Sequence, residues 1–196
     1  MKRLVPAALV ALSLGACASK SAHMRPVAGD AGVALKAGKD EAIVVFMRPS
    51  IYGGAIQSSV FDATTPESKF IGIVSAHTKV AYRTTPGEHV FMVVSEAADF
   101  MSAQLEPGKT YYARVSARVG MWKARFSLAP VSKVDLGMPE FASDDGSCDL
   151  VENGPTAVEW ANENAASIQT KRVEYFQKWM SKPEAERPVL RAGDGV

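Results

Sequence analysis

Between Ala42 and Pro130 the chain repeats one arrangement, a short run of β-branched and aromatic residues closed by a turn signal. Strands favour such side chains on a pleated surface, and reversals favour Gly and Pro, so the arrangement predicts an antiparallel sheet protein. Eight runs stand out: Ala42 to Arg48, Ala55 to Ala63, Phe70 to Ser75, Thr78 to Thr84, Glu88 to Glu96, Met101 to Leu105, Thr110 to Arg118 and Met121 to Ala129. Pro86-Gly87 and Pro107-Gly108 lie between runs. Pro presets φ near about −65° and Gly supplies the positive φ of a type II turn. Gly53-Gly54 and Gly120 mark further reversals.

The two-residue period assigns faces. Thr78, Val80, Tyr82 and Thr84 share a side that Lys79 and Arg83 avoid. Tyr111, Ala113, Val115 and Ala117 oppose Arg114, Ser116 and Arg118, and Trp122, Ala124, Phe126 and Leu128 oppose Lys123, Arg125 and Ser127. By contrast, Ile43 to Met47 and Val90 to Val94 are apolar on both faces, which predicts strands that are central or covered on both sides. Regular short strands favour a sandwich or barrel over a doubly wound α/β fold. The expected fold is mainly β, an antiparallel β-sandwich of about eight strands with a C-terminal α-helix.

Ahead of this region, Lys2 and Arg3 precede an apolar run from Val5 to Leu14. The run is too short to span a bilayer, which takes roughly 18 or more apolar residues. It closes on Leu14-Gly15-Ala16-Cys17, which resembles the lipobox of bacterial lipoproteins. The resemblance implies that residues 1–16 are a removable signal peptide and that Cys17 is acylated through its sulfur. An ordinary secretory peptide, or a buried N-terminal helix with an incidental Cys, is the alternative. Without residues 1–16 the chain carries 20 Lys and Arg against 21 Asp and Glu. That balance gives no electrostatic case for nucleic acid or an anionic membrane surface as principal partner. Cys148 is then left without an intramolecular disulfide partner and reads as a buried, inert thiol.

Residues 17–41 are small, polar and rich in Gly and Ala, and read as the lipidated Cys with a flexible tether. The β-sandwich domain occupies 42–131, a loop 132–155, a helix 156–182 and a tail 183–196. Thr156 with Glu159 three residues on predicts a capping box, and Pro183 ends the helix. Ala157, Val158, Ala161, Ala165, Ile168, Tyr175, Phe176 and Trp179 form its apolar stripe. Arg172 interrupts the stripe, and Trp160 and Val173 fall off it. The helix is expected to pack on the sheet.

Phe70-Ile71-Gly72, then Pro86-Gly87-Glu88-His89, then Glu106-Pro107-Gly108-Lys109-Thr110-Tyr111-Tyr112 resemble, in order and spacing, the bacterial lipoprotein family called domain of unknown function 2846. The likeness covers roughly residues 42–131 and not the C-terminal segment. It implies a lipobox protein with a sandwich-like core, and it brings no activity to carry over.

The residues announce no reaction. His23, His77 and His89 show no metal-ligand spacing, and no hydrolase elbow, phosphate-binding loop or dinucleotide fingerprint is present. His89 reads as a structural imidazole bonded near its turn, with a place on a binding surface together with Tyr112 as the alternative. Asp144 to Gly154 is dense in oxygen ligands but has Leu150 and Thr156 where a calcium loop needs Gly and Glu, so it reads as a solvated connector. Tyr52, Tyr111, Tyr112 and Trp122 are candidates for a binding surface, with Tyr112 foremost because Tyr111 and Tyr112 must face opposite ways. The expectation is a lipid-anchored envelope protein, in the outer membrane and facing the periplasm because Ala18 stands where an inner-membrane retention signal has Asp. It would be a non-enzymatic binding or assembly module, joined to the membrane at Cys17, with an envelope protein or the cell wall as partner and no cofactor or metal. An enzyme would need a pocket uniting residues such as His89, Asp99 and Arg114. A small-molecule or metal sensor would centre on the acidic loop.

Overall fold

The computed structural model describes residues 20–118 and 125–196. Cys17, Gly120 and Trp122 lie outside the described residues. The chain begins with β1 (Met24–Pro26), α1 (Ala31–Ala34), β2 (Ala42–Arg48), β3 (Ser58–Asp62) and β4 (Lys69–Val74). There follow β5 (Thr78–Thr84), β6 (Gly87–Val94), β7 (Ala98–Leu105), β8 (Thr110–Arg118) and β9 (Arg125–Pro130). The last third supplies α2 (Lys133–Leu136), α3 (Pro139–Gly146), β10 (Asp149–Asn153), α4 (Ala157–Met180) and β11 (Val189–Leu190).

The strands form two sheets, a first of order β1-β10-β5-β2-β8-β9 and a second of order β11-β7-β6-β3-β4. The fold is the expected mainly β, sandwich-like one with a C-terminal helix, but the described residues form eleven strands rather than about eight, and both sheets are mixed rather than antiparallel. β2 runs parallel to β8, β10 to β5, and β11 to β7. The β2–β8 pair is parallel because the chain passes through the second sheet twice between them, and so long a connection can return it to the same end. β1, β10 and β11 escape the alternation signal because each is too short or too polar to show it. Loop 132–155 therefore folds into α2, α3 and β10.

Residues 20–41, expected as a free tether, are docked in this structure. Their composition hides the reason, which is backbone pairing: β1 runs antiparallel to β10, and the Val27 amide donates to the Leu150 carbonyl at 3.1 Å. Gly72 makes room for Met24, since a Cβ there would lie 3.1 Å from the Met24 Cε. Further on, Thr110 Oγ1 donates to the Leu35 carbonyl at 2.7 Å.

Between the sheets lies the main core, with Phe46 edge-on to Phe91 at 5.1 Å, and with Val44, Val60, Met101, Tyr111 and Leu190 all buried. A second apolar cluster fills the outer side of the second sheet, where Phe61, Met92, Val94 and Phe100 meet Ile168 and Trp179 of α4. On the outer side of the first sheet, α3 sets Phe141 edge-on to Tyr112 at 5.0 Å and brings Asp144 to Arg114 at 2.8 Å. Every residue of β2 is buried, and it is central between β5 and β8, as its two apolar faces require.

In α4, Ala157, Ala161, Ile168 and Trp179 are buried, whereas Val158 and Ala165 of the expected stripe are exposed. The capping box does not form. Thr156 makes no side-chain cap bond, and its Oγ1 meets His23 Nδ1 at 2.9 Å instead. Trp160 is half-buried against Phe70 at 5.7 Å. Arg172 stays inside the interface because its Nη2 donates to the Ala63 and Thr65 carbonyls at 3.3 and 3.2 Å.

The C-terminal tail is structural. Val196 exchanges backbone bonds with Thr110 at 2.7 and 3.0 Å, and Leu190 is wholly buried in the main core. Leu190→Ala is expected to lower unfolding free energy by about 2–5 kcal/mol, as for other buried leucines. Urea titration checks this, and an unchanged midpoint would show that the tail does not belong to the core.

Candidate functional site

Gly87 begins β6 at φ +125°, and two residues later His89 enters the sheet, 8% exposed. Its Nε2 donates to the Thr85 carbonyl at 2.9 Å, and its Nδ1 faces Asp62 Oδ2 at 3.1 Å. A carbonyl and a carboxylate both accept, so this geometry suits the doubly protonated imidazolium. The bond to Asp62 accordingly raises the His89 pKa against the opposing effect of burial. Burial pushes the Asp62 carboxyl up, but hydrogen bonds from His89 and Thr64 outweigh it and hold it at about 2. Tyr82 donates to the same carboxylate at 3.1 Å, and burial together with that negative charge pushes its phenol up to about 12. The imidazole lies flat on Phe91, with 5.6 Å between centroids. His89 thus ties the turn before β6 to the end of β3, as the sequence suggests for a structural imidazole.

Other residues singled out in the sequence are spread over the molecule. Tyr111 is fully buried, its hydroxyl donating to the Ala192 carbonyl at 3.2 Å and accepting from the Glu106 amide at 2.8 Å. Tyr112 is half-buried on the opposite side of the sheet, where burial and the charge of Asp145 raise its pKa. Its aromatic partner is Phe141 of α3 rather than α4. Tyr52 is exposed in the segment after β2. His89, Asp99 and Arg114 do not share contacts: they bond to Asp62, to Arg118 and to Asp144 respectively.

The acidic segment is partitioned among separate cations. Asp144 pairs with Arg114, Asp145 with Lys79 at 2.5 Å, and Asp149 with Lys20. Among the described residues no group of three or more His, Cys, Asp or Glu is placed to hold a metal ion. Cys148 is buried, and burial raises its thiol pKa, which keeps it protonated.

Arg48 is 1% exposed and has only backbone acceptors, donating to the carbonyls of Ile56 at 2.8 Å, Tyr52 at 3.1 Å and Gly53 at 2.6 Å. Its guanidinium sits 4.4 Å from the Phe126 ring centroid. Burial lowers its pKa to about 10, still charged at neutral pH, so the cation fastens the segment after β2 against Phe126 of β9.

Phe126 also belongs to a cleft of about 300 Å³ where the start of β7, the ends of β8 and β9 and the last turns of α4 converge. Its polar lining is Asp99, Arg118, Arg125, Lys178 and Lys182. Asp99 accepts from Arg118 Nη2 at 3.0 Å and pairs with Lys182 at 3.5 Å. Lys178 meets Glu174 at 2.6 Å on the helix surface and lies over the Tyr175 ring at 4.7 Å. Arg125 makes no ion pair among the described residues. Sequence reasoning placed Arg125 and Arg118 on outward faces but did not join them to α4. The available signal was two outward arginines at facing strand ends together with lysines four apart at the end of a helix and just past it.

No protein-family model matches the chain, and no curated protein matches it.

The His89–Asp62 pair has a defined pH signature. His89 has a raised folded pKa, so its contribution is complete below the unfolded value of about 6.5 and is lost as pH rises through the folded value. Asp62 has a depressed folded pKa, so its contribution is complete above the unfolded value of about 3.9 and is lost as pH falls toward about 2. Between about pH 6 and about pH 9 the urea midpoint of the wild type is expected to fall more than that of His89→Gln. Parallel falls in the two proteins would sink the assignment.

Proposed function

We propose that the chain is a lipid-anchored bacterial envelope protein, attached through Cys17 at the outer membrane on its periplasmic side, whose folded part is a non-catalytic binding or assembly module. The observation that carries the reading is the order Lys2-Arg3, apolar run, Leu14-Gly15-Ala16-Cys17, with the described fold taking over at Lys20. A peptidase that cuts before Cys17 needs small residues beside the bond, and thioether formation needs a thiol; Gly15, Ala16 and Cys17 supply both. Among the described residues no helix is long and apolar enough to cross a membrane, a statement that does not extend to strands. Acyl chains contribute about 0.8 kcal/mol per buried methylene, so more than one on a single Cys makes a durable attachment.

A binding or assembly role is supported by how the chemistry-bearing side chains are used. His89 and Asp62 secure a turn, Lys79 and Arg114 hold α3 to the first sheet, and Arg48 holds the segment after β2. In the two turns whose sequence carries the resemblance to domain of unknown function 2846, Gly87 opens β6 at φ +125° and Gly108, at φ +76°, precedes β8.

Cys17→Ser is expected to abolish fatty-acid labelling and to move the protein from the membrane to the soluble fraction, with an unchanged circular dichroism spectrum. Labelling and partition that survive the substitution would remove the anchor.

A further inference from the structure

Arg118, the last residue of β8, and Arg125, the first of β9, are direct cross-strand partners. Like charges placed opposite each other on an antiparallel pair destabilise it. Here the cost is increased by two lysines brought to the same cleft, Lys178 in the last turn of α4 and Lys182 just past its end, and Arg125 lies near enough to Lys178 for their charges to repel. The helix accounts for part of this, since cations suit a helix C-terminus, but it does not account for the two arginines opposite. Asp99 must serve both Arg118 and Lys182, and Glu174 serves Lys178 among its partners, which among the described residues leaves two positive charges in excess of carboxylates. The cavity those charges surround is concave, and Tyr175 offers a half-buried ring beside them.

From this arrangement we infer that the cleft is a binding site for a phosphomonoester, whose dianion matches the two surplus charges and whose attached body rests against Tyr175. Guanidinium groups present paired N–H donors that match phosphate oxygens, and two arginines from facing strands can grip one phosphate from both sides. The cavity falls at the small end of ligand pockets, which suits a compact phosphate ester or a single headgroup. The site does not depend on the anchor at Cys17. A soluble phosphate ester and a lipid headgroup share this chemistry, and binding assays separate them.

The experiment uses the full chain carrying Cys17→Ser, so that its own acyl groups cannot give a membrane signal. Phenyl phosphate is titrated while backbone amide resonances are followed, and vesicles of phosphatidylcholine with and without phosphatidic acid are tested by co-sedimentation. Saturable shifts at Asp99, Arg125 and Tyr175 without vesicle binding identify a soluble ester. Sedimentation that requires phosphatidic acid identifies a headgroup. In either case Arg125→Gln is expected to weaken binding at least tenfold. Because that substitution relieves repulsion, the unliganded variant should also melt at or above the wild-type temperature, as expected of a residue kept for binding. No saturable binding of either probe, binding unaffected by Arg125→Gln, or a lower melting temperature in that variant would each overturn the proposal.

Discussion

A strand that is apolar on both faces cannot lie on a solvated sheet, and β2 sets this condition for the whole molecule. Its inner face is met by the second sheet, with Phe46 against Phe91. Its outer face requires a cover that a two-layer sandwich does not have, and the segment after β9 supplies one in α3, while β10 of the same segment extends the sheet itself. β6 makes the same demand of the second sheet, and α4 answers it with Ile168, Phe176 and Trp179. Four layers follow from two strands, and the polar ties from Lys79 and Arg114 to α3 only fix in place a cover that burial already demands.

Cations are treated in two opposite ways at one end of this framework. Arg48 is buried without a carboxylate and is matched by three carbonyl oxygens and an aromatic face. Burying a charge is tolerable only with such partners, which here serve Nη1 and Nη2 while the buried Nε has no hydrogen-bond partner among the described residues. On the other side of Phe126, the guanidinium of Arg125 stays exposed and has no ion pair among the described residues. The contrast separates a cation that builds the fold from one that the fold leaves available.

Much of the sandwich was legible because β2, β5 and β8 carry complete alternating or doubly apolar runs, and the structure reproduces their bounds. Gly87 and Gly108 were equally legible, since positive φ leaves few residue choices. β1, β10 and β11 were not, because their pairing uses backbone groups that every sequence contains, and Met-Arg-Pro or Val-Leu has no period to read. The helix cover on the first sheet was missed for a related reason. Its contacts are the single ring of Phe141 and two ion pairs, not a stripe. His89 was readable as structural from its turn, whereas its partner Asp62 lies 27 residues away on another strand and left no local trace. The cleft is more remote still, since it gathers side chains from β7, β8, β9 and α4.

The docking of β1 bears on reach. Under the proposed acylation of Cys17, a free segment 20–41 would let the module sample a wide shell around its anchor. With backbone pairing fixed from Met24 and Ser21 already bonded to Ser75 at 3.2 Å, the leash shrinks to the few residues between Cys17 and Ser21. Fully extended, so short a stretch spans on the order of 14 Å, at about 3.5 Å per residue. With Cys17 acylated as proposed, a body on such a leash would ride against the leaflet, with the β1 edge of its first sheet nearest the anchor. Whatever it bound would then have to come to the membrane surface to be met.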